Sequence, residues 1–135
     1  MGYLGWTNHD WQRKLAVMDL VDVMQHCQSL PGQTESTPFG PDVLVFKVGG
    51  KMFALLSPDD QPARVNLKCD PARAALLRES HHAILPGYHM NKRHWNTVVL
   101  DHSLPPALVR ELIDHSYQLV VAGLSARLRG EAGLA

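Results

Sequence analysis

The residues from Tyr88 to Leu100, YHMNKRHWNTVVL, hold the densest chemistry in this chain. They bring together His89, His94, Asn91, Asn96, the cations Lys92 and Arg93, and Trp95. Three chemistries use such residues. The first is nucleic-acid contact: Lys92 and Arg93 neutralise phosphates, Asn91 or His94 donate hydrogen bonds, and an aromatic ring stacks on a base or packs under a backbone. The second is metal binding by His81, His82, His89 and His94. No HExxH, carboxylate cluster or cysteine at ligand spacing accompanies them, so no metal site is expected. The third is general acid–base catalysis. A catalytic histidine wants an orienting carboxylate and a nucleophile, and the nearest acids, Asp70, Glu79 and Asp101, form no motif with these histidines.

Other catalytic motifs fail as well. The segment GPDVLVFKVGG has neither phosphate-loop spacing, and its glycines read as turns. Ser57, Ser80, Ser103 and Ser116 lack a nucleophile-elbow context. The expectation is a non-enzymatic protein that needs no cofactor.

Charge distribution bears on the first chemistry. The chain has 13 Lys+Arg against 13 Asp+Glu, a formal net charge of zero, which excludes a uniformly basic binder. Residues 61–97 hold Arg64, Lys68, Arg73, Arg78, Lys92 and Arg93 against Asp70 and Glu79 only, a surplus of +4. The remainder carries seven basic and eleven acidic residues, hence −4. A neutral protein can therefore present one basic face. The plainer alternative is a solvated surface with ordinary charge scatter, Trp95 in the core, and His94 and Asn96 turned outward by strand alternation.

The elements that must position these residues follow from pattern. At 135 residues the chain fits one domain, with enough length to bury a core without disulfides. Residues 1–17 read as an extension, either preceding a natural start at Met18 or forming a short surface helix. Asp19 is a candidate N-cap, and Leu20, Val21, Val23, Met24 and Cys27 recur at helical spacing until Pro31-Gly32 breaks the run. Residues 43–48 and 52–56 form a hairpin closed by Gly49-Gly50. Residues 63–69 alternate, with Arg64 and Lys68 on one face. Asp70-Pro71 opens a helix, residues 95–100 make a strand, and Pro105-Pro106 opens a long helix. The fold class is α+β, one twisted antiparallel sheet with helices on one face. The domain spans 18–130, with a short tail at 131–135. Cys27 and Cys69 read as reduced thiols. No signal peptide or stretch of about 18 apolar residues is visible, so a cytoplasmic protein without a membrane partner is expected.

The segments Leu30–Leu56, Val65–Glu79, Pro86–Pro105 and Leu112–Leu124 together resemble the MmcQ/YjbR family, most specifically through HMNKRHWNTV followed by SLP. The resemblance covers about residues 18–130. It implies a CyaY-like fold with a double-wing arrangement, and DNA binding in a bacterial protein of unknown cellular role. The family's basic signature matches Lys68, His89, Asn91, Lys92, His94 and Trp95. His102 stands where that family commonly has glycine, at a turn where φ > 0 suits glycine better.

The leading expectation is DNA binding by Arg64, Lys68, Lys92 and Arg93, with His89, Asn91, His94 and Trp95 completing the surface. These four cations should share one face. About four neutralised phosphates imply a log–log salt slope of roughly −3 to −4. The alternative is a protein-interaction or small-ligand module without nucleic-acid affinity, built on Tyr88 to Trp95. A monomer is favoured.

Overall fold

Asp19 opens the first described helix with a reciprocal cap. Its carboxylate accepts from the Asp22 N–H at 3.1 Å, and the Asp22 carboxylate accepts from the Asp19 N–H at 3.1 Å. Two helix-end donors are satisfied this way. The computed structural model describes residues 18–134; the extension read at 1–17, and with it the question of Met18 as the start, lies outside the described residues.

Helix α1 (Leu20–Gln28) buries Val23 and Cys27 and ends at Ser29. Four strands follow: β1 (Gln33–Ser36), β2 (Leu44–Val48), β3 (Lys51–Ser57) and β4 (Arg64–Lys68). Helix α2 (Pro71–Ser80) starts at Asp70, whose carboxylate accepts from the Arg73 N–H, with Pro71 in the first turn. Strands β5 (Ile84–Pro86) and β6 (Trp95–Val99) precede the long helix α3 (Pro106–Ala122) and the short α4 (Ala126–Glu131). The sheet order is β1-β2-β3-β4-β6-β5, and every neighbouring pair is antiparallel. The class expected from the pattern, α+β with one antiparallel sheet, is the class observed.

The sheet has six strands where the pattern indicated four. β1 is polar and mostly exposed, and β5 is three residues long and ends in proline. The segment after residue 130 is also packed more closely than a tail: Ala132 and Leu134 lie against the core, and the Leu134 N–H donates to the Arg129 carbonyl at 2.8 Å. Among the described residues no helix is long and apolar enough to cross a membrane.

The register assigns the faces. Ala54, Leu67 and Asn96 are cross-strand partners in one row, and Leu56, Val65, Val98 and Ile84 in another. These rows look toward the helices, where Phe46, Phe53 and Ile113 are fully buried. A β-bulge shifts the β2–β3 register between Phe46 and Lys47, so Phe53 has no partner opposite. The shift breaks strict alternation, and both Phe53 and Ala54 reach the core. The Phe53 ring meets Phe46 at 6.2 Å and Tyr117 of α3 edge-on at 5.4 Å.

Between β3 and β4, Ser116 of α3 joins sheet and helix. Its fully buried hydroxyl donates to the Phe53 carbonyl at 2.6 Å and accepts from the Lys68 N–H at 2.8 Å. Backbone groups that lack a partner strand at that point are thereby satisfied.

Candidate binding face

Ser36, Val45, Leu55, Asn66, Thr97 and Leu85 form a row on the other face, which none of the described helices covers. The loop from Gly87 to Asn91 folds over that row through a closed ring of hydrogen bonds. The Tyr88 N–H donates to Thr97 Oγ1 at 2.9 Å, the Thr97 hydroxyl donates to Asn66 Oδ1, and Asn66 Nδ2 donates to the Tyr88 carbonyl at 3.4 Å. Gly87 is required at the loop's entry, because a Cβ there would sit 2.8 Å from Trp95 Cβ. His89 holds φ at +59°, and its ring lies 4.0 Å from that of Tyr88. A non-glycine residue in this region stores strain that the surrounding bonds must hold.

The run Asn91–Trp95 closes on itself. The Asn91 carbonyl accepts from the N–H groups of His94 and Trp95, and Asn91 Oδ1 accepts from the Arg93 N–H at 2.9 Å. Lys92 Nζ donates to the Gly87 carbonyl at 3.2 Å, while the Lys92 carbonyl accepts from Arg78 Nη2 at 2.6 Å. Asn91 and Lys92 thus shape the loop as well as line the surface. The His94 carbonyl accepts from the Cys69 N–H, and Trp95 is half-buried opposite Lys68 in the β4–β6 register.

The cations divide into groups. Lys68, Lys92 and Arg93 gather at the end of the face where β6 begins. Arg64 shares the Lys68 face but stands four residues along β4, roughly 13 Å away by strand rise. Its Nε lies 3.9 Å from Asp60 Oδ2, too far for a hydrogen bond, and is sealed from solvent. Arg73 is tied to Glu111 of α3 by a two-pronged ion pair, which lowers the Glu111 pKa and raises that of Arg73. Arg78 reaches across to Asn96 Oδ1 at 2.8 Å. This last contact corrects the outward placement of Asn96: it is 2% exposed and faces α2, while Trp95 takes the open side.

Beside the cationic end runs a groove of about 870 Å³, of which the Tyr88–Trp95 segment read as the alternative ligand surface supplies only Tyr88 to Asn91. Val43, Met52 and Leu55 contribute its apolar lining, with Phe39, Tyr88 and Met90 at the sides and Asn66, His89 and Asn91 as polar members. Asp42, Asp59 and Asp60 bring three carboxylates to it. The rest of the lining carried no sequence sign beyond the apolar Leu55, two residues from Ser57 on a strand face that carries Asn66 next door. Phe39 and Asp42 come from the loop between β1 and β2, and Asp59 and Asp60 from the loop between β3 and β4, with no shared motif.

Burial pushes the Cys27 thiol up to about 12, reinforced by Asp114, and burial also raises Cys69. Both thiols therefore stay protonated. Among the described residues no three metal-ligating side chains converge. His82 pairs with Asp101 at 3.2 Å on the surface, and His26 with Asp114 at 2.7 Å beside α1.

An antiparallel sheet backed by helices on one face, with a clamped loop across the other and no described helix there, defines a small α+β protein. The model of the YjbR protein family matches residues 28–119. The chain belongs to that family. The uncharacterised Escherichia coli K12 protein YjbR is 36% identical over 104 residues, covering 77% of this chain and 88% of that protein. YbdF of Escherichia coli O157:H7, also uncharacterised, is 47% identical over 90 residues, 67% of this chain and 74% of that one. Among solved structures, the Deinococcus radiodurans protein DR2400, with its DUF419 domain, superposes with a TM-score of 0.80 at 41% identity, covering 90% of this chain and 91% of that one. A Pseudomonas syringae protein, target PsR293, gives 0.67 at 30% identity over 76% and 99%.

Proposed function

We propose that this protein binds DNA through phosphate contacts and performs no catalysis. One observation carries the reading: Lys68 lies directly across the β4–β6 ladder from Trp95, and Lys92 and Arg93 occupy the loop that leads into Trp95. Three cations thereby stand beside Trp95 in register or in sequence, an arrangement that suits a backbone phosphate run with a sugar or base packed on the indole. His94 completes that patch, and His89 and Asn91 border it from the clamped loop. Arg64 is left out, because it stands apart and faces Asp60.

Three phosphates rather than four set the magnitude. The log–log salt slope becomes about −2.7, so affinity falls about 40-fold between 50 and 200 mM salt. The test is titration of random duplex and single-stranded DNA at those two concentrations, with wild type and a Lys92→Ala/Arg93→Ala variant. Binding at low salt with that slope, lost in the double variant, is the expected result. No binding at low salt, or binding that survives the double substitution, overturns the reading.

A further inference from the structure

We propose that the groove on the open sheet face is a separate binding site for a small amphipathic cation, a molecule with an aromatic or aliphatic body and a protonated amine. This goes beyond phosphate recognition, and it uses none of the three cations, sharing only His89 and Asn91 with that patch. Three observations support it.

The first is shape and lining. A volume of about 870 Å³ lies within the range of small-molecule sites, roughly 300–1,000 Å³, and such sites are mostly apolar with a few placed polar groups. Val43, Met52 and Leu55 supply apolar surface, and Tyr88 and Phe39 stand 61% and 62% exposed beside them. Large aromatic side chains held in water at the sides of an apolar groove have lost nothing by folding and gain contact area when a body enters.

The second is charge. Asp42, Asp59 and Asp60 bring three negative charges to the lining, and among the described residues the lining contains no lysine or arginine. Among the described residues, only Asp60 of the three has an ion pair, and that one is long, at 3.9 Å to Arg64. A phosphate entering here would meet three carboxylates, whereas an ammonium group would be attracted by all of them. The face thus carries opposite charge preferences at its two ends.

The third is preorganisation. The Asn66–Thr97–Tyr88 ring of hydrogen bonds fixes the wall formed by the Gly87–Asn91 loop, and His89 is held at φ +59° within it. A site whose wall is already fixed loses less entropy when it is occupied. Asn66 uses one amide proton on Tyr88 and keeps the other for a ligand acceptor.

The experiment uses the full chain and three probes followed by amide and methyl NMR shifts. 4-Phenylbutylamine has body and charge, 4-phenylbutyric acid has the body with opposite charge, and n-butylamine has charge without the body. The expected result is saturable shifts at Met52, Leu55, Asn66 and Met90 with the aryl amine, and at least tenfold weaker binding of the other two. Asp42→Asn/Asp59→Asn, both exposed and without structural bonds, should weaken the aryl amine about fivefold. Lys68→Ala/Arg93→Ala, which removes two cations of the phosphate patch and no side chain of the groove lining, should leave its affinity unchanged, so failure of the DNA reading and failure of this one are separately visible. Equal binding of the acid, no saturable shifts with the amine, or shifts outside the groove overturn the proposal. So do concentration-dependent shifts of the same residues without any probe, which would assign the face to a second copy of the chain.

Discussion

Ser116 shows how much one hydroxyl can hold. Buried completely, it serves the Phe53 carbonyl and the Lys68 N–H at once, and so fixes α3 to the point where β3 and β4 part. Ser116→Ala leaves both backbone groups without a partner in the core and should lower stability by about 1–3 kcal/mol in urea unfolding, with no change in the denaturant slope. The partners lie 63 and 48 positions away, so nothing near Ser116 in the chain announces the role. His102 was more legible: it adopts φ +70°, the left-handed conformation its turn position implied. Asn96 was misread because strand alternation gives two faces without saying which is inside. The answer came from Arg78 and the Ala74 carbonyl, both of which the asparagine amide meets across the helix–sheet interface.

At the scale of elements, the β2–β3 hairpin was readable because its turn is a local matter. Gly49 and Gly50 have φ of +60° and +79°, as a tight two-residue connection between twisted strands requires. Gly49 also packs under Leu124, whose Cδ1 would lie 2.6 Å from an added Cβ. Gly49→Ala therefore meets both backbone strain and a clash, and should cost about 1–3 kcal/mol, read as a lowered thermal midpoint, while Gly50→Ala, with open space around it, meets only the strain. β1 and β5 escaped because they lack the usual signals. QTES has no apolar alternation, and a three-residue strand is shorter than any period can establish. The Phe53 bulge escaped for the same reason, since its extra residue is defined only against the partner strand. The candidate cationic residues were visible as a charge surplus in one window, but their division was not: Arg73 and Arg78 turn to α3 and to Asn96, and Arg64 to the acidic loop.

For the whole molecule, the zero net charge conceals two differently charged regions of one sheet face and a set of acids whose ionisation supports folding. The Arg73 guanidinium holds the Glu111 carboxyl below its ordinary value of 4.5, and the Ser103 hydroxyl lowers Asp101 in the same way. A carboxyl with a depressed native pKa contributes stability above its unfolded value, and that contribution disappears as pH falls through the native one. Thermal midpoints should therefore drop below about pH 4.5, and Glu111→Gln should flatten that slope by under about 1 kcal/mol, since the pair is part-exposed. The sheet's borders have a further effect. One border is the polar β1, with Glu35 in it; the other is the brief β5, which stops at Pro86 and so has no N–H there to offer. Both borders are short and neither offers a long apolar edge, so strand addition from a foreign chain is disfavoured at both sides.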